Sequence, residues 1–284
     1  MKYYIVIAAH NEQEFIGLTL DSLLSQTLLP SKIVVVNDNS SDQTGNIVTA
    51  YAAKHPFITL VEKVSDPIHM PGSKVIKAFN TGAKTLDNNY DVLVKLDADL
   101  ILPKHYFETI ARHFNSDATL GMAGGFAYIE KNGDWILENL TNKDHIRGAF
   151  KAYRKEAYQQ MGGLVEAMGW DTADELICQY NGWKIKTDAS LHIKHLKPTG
   201  ANYNPAAQYK QGEAFYTLGY GTLLTVIASL KLAVNKKNIR LFWDYMGGFY
   251  RAKSAKTPQL VTAAQGAFIR KLRWRKIREK VFKI

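Results

Sequence analysis

Four short apolar, β-branched runs lie in the first 99 positions, separated by segments of helical period. This alternation constrains the fold more than any other feature of the chain. Residues 3–8, 33–36, 57–61 and 91–96 have strand length and composition. Between them, residues 14–25 carry Phe15, Ile16, Leu18, Leu20, Leu23 and Leu24 near helical spacing. Residues 39–42 offer N-cap chemistry for a helix reaching Ala53, and residues 75–86 read as a third helix after a loop holding Pro67, Pro71 and Gly72. This β-α-β-α order predicts a mostly parallel central sheet flanked by helices. Ligands of such sheets bind beyond the carboxyl ends of the strands, so residues 8–12, 37–42 and 97–99 are expected at one edge.

Past residue 100 the pattern is less regular. Residues 103–114, 149–161 and 171–180 read as helices, residues 120–129 as a Gly-containing strand, and residues 183–186 and 189–195 as short strands. Residues 214–230 hold no charge, but this stretch is short for a membrane span and includes Gly219 and Gly221, so a helical hairpin is expected there. We expect a body over residues 1–210, divided at residue 99 into strand-end and acceptor-side halves, and a helical extension over 211–284.

Charge separates the same two parts. Residues 235–284 hold 14 Lys and Arg against 2 acidic residues, whereas the rest of the chain is close to neutral. Trp274, Ile277, Val281 and Ile284 recur at helical spacing among those cations, the pattern of a basic helix lying on an anionic membrane surface. A solvated basic terminus gives the same composition. Nucleic-acid enzymes more often gather cations around the cleft, so no nucleic-acid partner is expected. Cys178 is the only cysteine, which excludes an internal disulfide and suits a reducing, cytoplasmic compartment, with a peripheral place on the inner membrane face. The apolar start is shorter than a signal peptide and reads as the first strand.

The chemistry starts at Asp97-Ala98-Asp99, two carboxylates at the mouth of the fourth strand, where a divalent cation could hold a diphosphate. Ile7-Ala8-Ala9-His10-Asn11-Glu12, Gln26-Thr27-Leu28-Leu29-Pro30 and Asn37-Asp38-Asn39-Ser40-Ser41-Asp42 precede it in order. Together these motifs resemble the nucleotide-binding half of the inverting glycosyltransferases of family 2, with the GT-A fold, over about residues 3–200.

The resemblance implies that Asp38 binds the base between backbone groups of Ala8 and Ala9, that Glu12 faces the ribose, and that Asp97 reaches ribose or metal-bound water. It implies Asp99 as ligand of Mg²⁺ or Mn²⁺, with His195 as a further metal or diphosphate contact, and Lys74 and Lys197 on the diphosphate. Asn37 departs from the family's usual Asp. His192 and His195 alternate along a strand, so at most one faces the site. Counting back from Gly182-Trp183 aligns Asp171 with the family's catalytic Asp, and Trp170 stands where a Glu is usual. Asp174, one helical turn on, is the rival base, and helix N-terminal acidity explains either residue without catalysis. Trp170, Trp183 and Tyr180 could stack on a sugar or simply fill the core.

The expected activity is metal-dependent inverting transfer of a sugar from a nucleoside diphosphate, UDP by preference, to a hydroxyl of a cell-envelope glycan or lipid-linked saccharide. A sugar-phosphate nucleotidyltransferase is a rival, although the Gly-rich basic loop expected after its first strand is missing from residues 8–12. A non-catalytic membrane- or nucleic-acid-binding protein built on the basic tail is the other.

Overall fold

The computed structural model describes residues 1–65, 72–138, 143–197 and 207–282. Pro67 and Pro71 of the predicted loop lie outside the described residues, as do the side chains of Val281 and Ile284. The described chain forms two compact units, residues 1–166 with 170–199, and residues 167–169 with 200–284.

The first unit opens with β1 (Tyr3–Ala9), α1 (Ile16–Leu24), β2 (Lys32–Asp38), α2 (Thr44–Lys54), β3 (Ile58–Lys63), α3 (Ser73–Ala83) and β4 (Val92–Asp97). It continues through β5 (Leu100–Ile101), α4 (Tyr106–Ser116), β6 (Leu120–Lys131), β7 (Asp134–Leu137), β8 (Phe150–Arg154), α5 (Lys155–Met161), α6 (Trp170–Tyr180) and β9 (Lys184–His195). One sheet takes the order β3-β2-β1-β4-β8-β6-β9-β5, with β7 paired to β6. The predicted parallel arrangement holds from β3 to β4. Beyond β4 the sheet is mixed, because β8 runs antiparallel to both β4 and β6, while β9 is parallel to β6.

The central strands are buried on both faces, so they read as unbroken apolar runs. In β1, Tyr3 packs its ring on Phe107 of α4, while Val6 points to α3 on the opposite face. Helix α3 comes very close to the sheet at Gly82. A Cβ there would stand 2.7 Å from both Val6 Cγ1 and Val36 Cγ2.

Three elements differ from the sequence reading. Residues 149–161 do not form one helix. Phe150–Arg154 is strand β8, and only Lys155–Met161 is helical. Phe150, Lys151, Ala152 and Tyr153 are all wholly buried between β4 and β6, and ladder pairing there overrides a helical pattern. The two short strands predicted over 183–195 are one strand, β9, whose pairing with β6 shifts register between Gly124–Thr187 and Phe126–His192. Strand β7 was not anticipated, although Asn132-Gly133 between two strands is a strong hairpin signal. Both residues have positive φ, 55° and 87°, as a two-residue primed turn requires.

The second unit comprises α7 (Ala207–Thr217), α8 (Gly221–Asn235), α9 (Arg240–Ser254) and α10 (Ala263–Phe282). The uncharged run forms the end of α7, a turn with Gly219 and Gly221 at positive φ, and most of α8. No helix among the described residues is long and apolar enough to cross a membrane.

Gly82→Ala should destabilise the chain. Ala gains about 1 kcal/mol in helix propensity, but forcing apart two branched valines costs more, about 1–3 kcal/mol. A lower denaturant midpoint with unchanged slope is the expected result. An equal or higher midpoint would show that α3 can shift away without loss.

Candidate active site

The carboxyl ends of β1, β2 and β4 border a cavity of about 900 Å³ within the first unit. Of the residues singled out from sequence, Ala8, Ala9, Glu12, Asp38, Lys74, Asp97, Asp99, Asp171 and His195 line it, whereas Lys197 does not. His10, Lys95, His145, Arg147 and Trp170 line it as well.

The strand ends are tied together by local chemistry. His10 Nδ1 lies 2.6 Å from the Asp38 carbonyl, and Asn11 and Asn39 both take left-handed backbone, φ 54° and 57°. The Asn11 amide donates to Ser40 Oγ, and the Asn11 side-chain oxygen accepts from the Ser41 amide. Asp42 accepts from the Thr44 amide and hydroxyl, which is a capping role at the start of α2.

Alternation along β2 separates its last two residues. Asp38 enters the cavity and pairs with Lys63 at 3.2 Å. Asn37 turns the other way and donates its amide to Glu62 at 2.9 Å. An Asp at position 37 would set two carboxylates against each other, so the departure from the family pattern has a local electrostatic reason.

On β4, Asp97 accepts from Lys95, which is almost wholly buried. Asp99 is buried, and its Oδ2 lies 3.4 Å from His195 Nε2. His195 Nδ1 is 3.0 Å from Glu138, which also pairs with Arg147. Burial disfavours the charged imidazole, yet the Asp99 and Glu138 carboxylates outweigh it and raise the His195 pKa. His192, by contrast, is exposed and stacks on Tyr128. Glu12 Oε1 pairs with Lys197 at 3.1 Å, while its Oε2 is buried without a partner. Burial raises the Glu12 pKa despite Lys197.

Across the cavity, Asp171 opens α6. Its carboxylate stands 3.6 Å from His145 Nε2, and His145 Nδ1 stands 3.1 Å from Glu175 Oε2, four residues along the same helix. Burial works against both charges, but their attraction prevails: the Asp171 pKa is lowered and the His145 pKa rises to about 9. Asp174 does not line the cavity. It is buried, with Lys151 Nζ at 2.8 Å and the Tyr153 hydroxyl at 2.6 Å, and burial raises its pKa to about 6. Trp170 lines the cavity with Lys95 and Lys151 over its ring at 5.3 and 5.6 Å, while Trp183 and Tyr180 do not reach it.

Sequence reasoning missed His145, Arg147 and Glu138. No local pattern marks the two cations. Glu138 follows the strand that the Asn132-Gly133 turn folds back, and that turn was its only signal.

The profile described as glycosyl transferase family 2 matches residues 4–170, more than half of the chain, and the protein belongs to that family. The poly-beta-1,6-N-acetyl-D-glucosamine synthase of Staphylococcus aureus (strain COL) is 23% identical over 271 residues, 85% of this chain and 62% of that protein. The probable glycosyltransferase YdaM of Bacillus subtilis (strain 168) is 37% identical over 100 residues, 34% of this chain and 23% of that protein. The chain thus spans less than two thirds of each curated relative. Among solved structures, the mannosyltransferase PcManGT of Pyrobaculum calidifontis, in complex with GDP-Man and Mn²⁺, superposes with a TM-score of 0.60 at 17% identity. That match covers 97% of this chain and 80% of the other. Residues 1–349 of S. aureus TarS, in complex with UDP-GlcNAc, give 0.57 at 18% identity, over 77% and 67%. These likenesses establish the GT-A fold.

The His145 bridge predicts a pH-dependent stability. Its folded pKa of about 9 exceeds the ordinary value of 6.5, so its contribution is complete below about pH 6.5 and is lost as pH rises through 9. The stability gap between wild type and His145→Gln, read by urea denaturation, should therefore shrink from pH 6 to 9. A constant gap would mean that folding does not raise the His145 pKa.

Proposed function

We propose that the chain is a metal-dependent inverting glycosyltransferase that moves a sugar from a nucleoside diphosphate, UDP by preference, to an acceptor hydroxyl. The observation that carries this reading is one cavity with Asp38, Asp97, Asp99 and His195 on its strand-end side and Asp171 on the facing helix. We assign catalysis to residues 1–210 and treat residues 211–284 as an accessory extension.

The donor set fits a divalent cation. Asp99 Oδ2 and His195 Nε2 converge at 3.4 Å, and Glu138 at Nδ1 leaves the Nε2 lone pair to the ion once the imidazolium proton is lost. Among the described residues no three His, Cys, Asp or Glu side chains group closely enough to hold an ion by themselves, so diphosphate oxygens and water would complete the shell. Mg²⁺ or Mn²⁺ suits these ligands, and a bound ion would neutralise charge on the departing diphosphate.

Asp38 accepts the imide N–H of the base beside the Ala8 and Ala9 backbone. Glu12, whose Oε2 lacks a partner, receives the ribose hydroxyls, and Asp97 lies beside it. Lys74 in the first turn of α3 and Lys197 supply positive charge for the phosphates. Asp171 takes the proton of the acceptor hydroxyl as that oxygen bonds to the anomeric carbon. The anomeric bond to the diphosphate breaks with its electron pair on the leaving group, and the configuration inverts. The charged His145 keeps Asp171 deprotonated and aims it. The acceptor we favour is a cell-envelope glycan or lipid-linked saccharide, reached from the cytoplasmic face, with the basic second unit at the membrane.

Thermal shifts with UDP, GDP, CDP and dTDP, each with and without Mn²⁺, test the donor. A Mn²⁺-dependent shift for one nucleotide, lost in Asp99→Ala, is expected. No shift with any of them overturns the assignment. Asp171→Asn should keep that shift and lose about 10²–10⁴-fold in kcat. Turnover within threefold of wild type would remove Asp171 from the base role.

A further inference from the structure

In the second unit, helix α8 carries apolar side chains on both faces: Leu224 and Ala233 are buried, while others face outward. Helix α8 buries Thr225 and Ser229 completely, and Ser229 Oγ has no hydrogen-bond partner. On its outer side Leu223, Leu230 and Val234 are exposed, at 62%, 47% and 64%. A helix serving only an interior would place those side chains inward. Helix α9 continues the surface. It buries Tyr245, Gly248 and Phe249, and a Cβ on Gly248 would stand 2.0 Å from the Tyr209 carbonyl oxygen, so this face is committed to α7 at backbone contact. The opposite side of α9 presents Trp243, 70% exposed, and Tyr250, and Ile239 is exposed just before it. Residues 223, 230 and 234, and 239, 243 and 250, follow helical spacing, so each set forms one stripe.

The charge around these stripes is predominantly positive, with Asp244 beside Trp243 as the exception. From residue 214 to 243 there is no Asp or Glu, while Lys231, Lys236, Lys237 and Arg240 gather where α8 turns into α9, all exposed. Apolar side chains flanked by a cluster of cations, on a hairpin too short and too polar to span, match a bilayer interface with anionic headgroups. Long Lys and Arg stems can lie along the apolar layer while their charges stay in water. The terminal helix is arranged differently. Ile269 and Leu272 of α10 are buried, and Trp274 and Ile277 are half-buried.

We infer that the α8–α9 hairpin docks this chain on an anionic lipid bilayer, with Val234, Ile239 and Trp243 entering the interface and Lys231, Lys236, Lys237 and Arg240 facing the headgroups. The docking deepens the proposed membrane-surface acceptor but stands on its own observations. Helix α10 adds long-range attraction through its cations and does not insert.

The test uses the full chain and sedimentation with vesicles of phosphatidylcholine, alone or with one quarter phosphatidylglycerol. Wild type should pellet with the anionic vesicles only. Trp243→Ala with Val234→Ser, and separately Lys236→Glu with Lys237→Glu and Arg240→Glu, should each weaken partitioning by about tenfold or more. Lys271→Glu with Arg278→Glu on α10 should change it by about threefold or less. Trp243→Phe should remove most of the fluorescence quenching produced by brominated lipid. Equal pelleting of the hairpin variants and wild type overturns the inference, as does release by the α10 variant alone. Concentration-dependent dimers in sedimentation velocity that Trp243→Ala abolishes would also overturn it, because a second copy would then be the occupant. The UDP thermal shift is read on the same variants. If it persists while vesicle binding fails, the docking is wrong and the donor reading stands; if vesicle binding persists without any nucleotide shift, the reverse holds.

Discussion

Two lysines buried side by side in the sheet are the constraint around which the site is organised. Lys95 of β4 and Lys151 of β8 are direct antiparallel partners, so their side chains leave the same face, and both are nearly or wholly buried. Like charges in that position repel, and each needs an anion of its own. Lys95 takes Asp97. Lys151 takes Asp174 and Glu175 and also donates to the Asp171 carbonyl. Trp170 lies against both ammonium groups. Removing one partner of such a pair typically costs about 3–5 kcal/mol, because the other charge stays buried. The lysines thereby fix the first turn of α6 over the sheet, and with it the position of Asp171 opposite the strand ends.

The mixed sheet makes this geometry possible. Parallel β1, β2 and β4 deliver their carboxyl ends to one edge, as an α/β order requires. Antiparallel β8 begins at that edge, so the Asp97 amide can bond the Ala149 carbonyl at 2.8 Å, and His145, Arg147, Gly148 and Ala149 line the same cavity. The β6–β7 hairpin then brings Glu138 beneath His195. The carboxylates facing the cavity are thus balanced differently: Asp38 by Lys63, Asp97 by Lys95, Glu12 by Lys197 on one oxygen only, and Asp99 and Asp171 each by an imidazole. Among the described carboxylates lining the cavity, only Glu12 retains a buried oxygen without a partner.

The second unit follows another logic. Its helices approach to backbone contact at Gly212, where a Cβ would stand 1.8 Å from the Tyr245 carbonyl, beside a core that includes Phe215, Leu224, Phe249 and Ile269.

The sequence by itself determined the alternating first half, the carboxylates at its strand ends and the family, because each rests on local period and on short motifs in order. It also placed Asp38, Asp97 and Asp99 at one edge, since strand ends of a parallel sheet must share it, whereas His195 and Asp171 were joined to them only by the family resemblance. Tertiary structure alone decided that Phe150–Arg154 is a strand, because its helical pattern yields to pairing with β4 and β6. It likewise turned Asp174 inward and Asp171 outward, a choice made by Lys151, twenty residues away. His145, Glu138 and the outward stripe of α8 follow the same rule. Their partners, or the faces they present, are set by packing at long sequence separation, which no local period encodes.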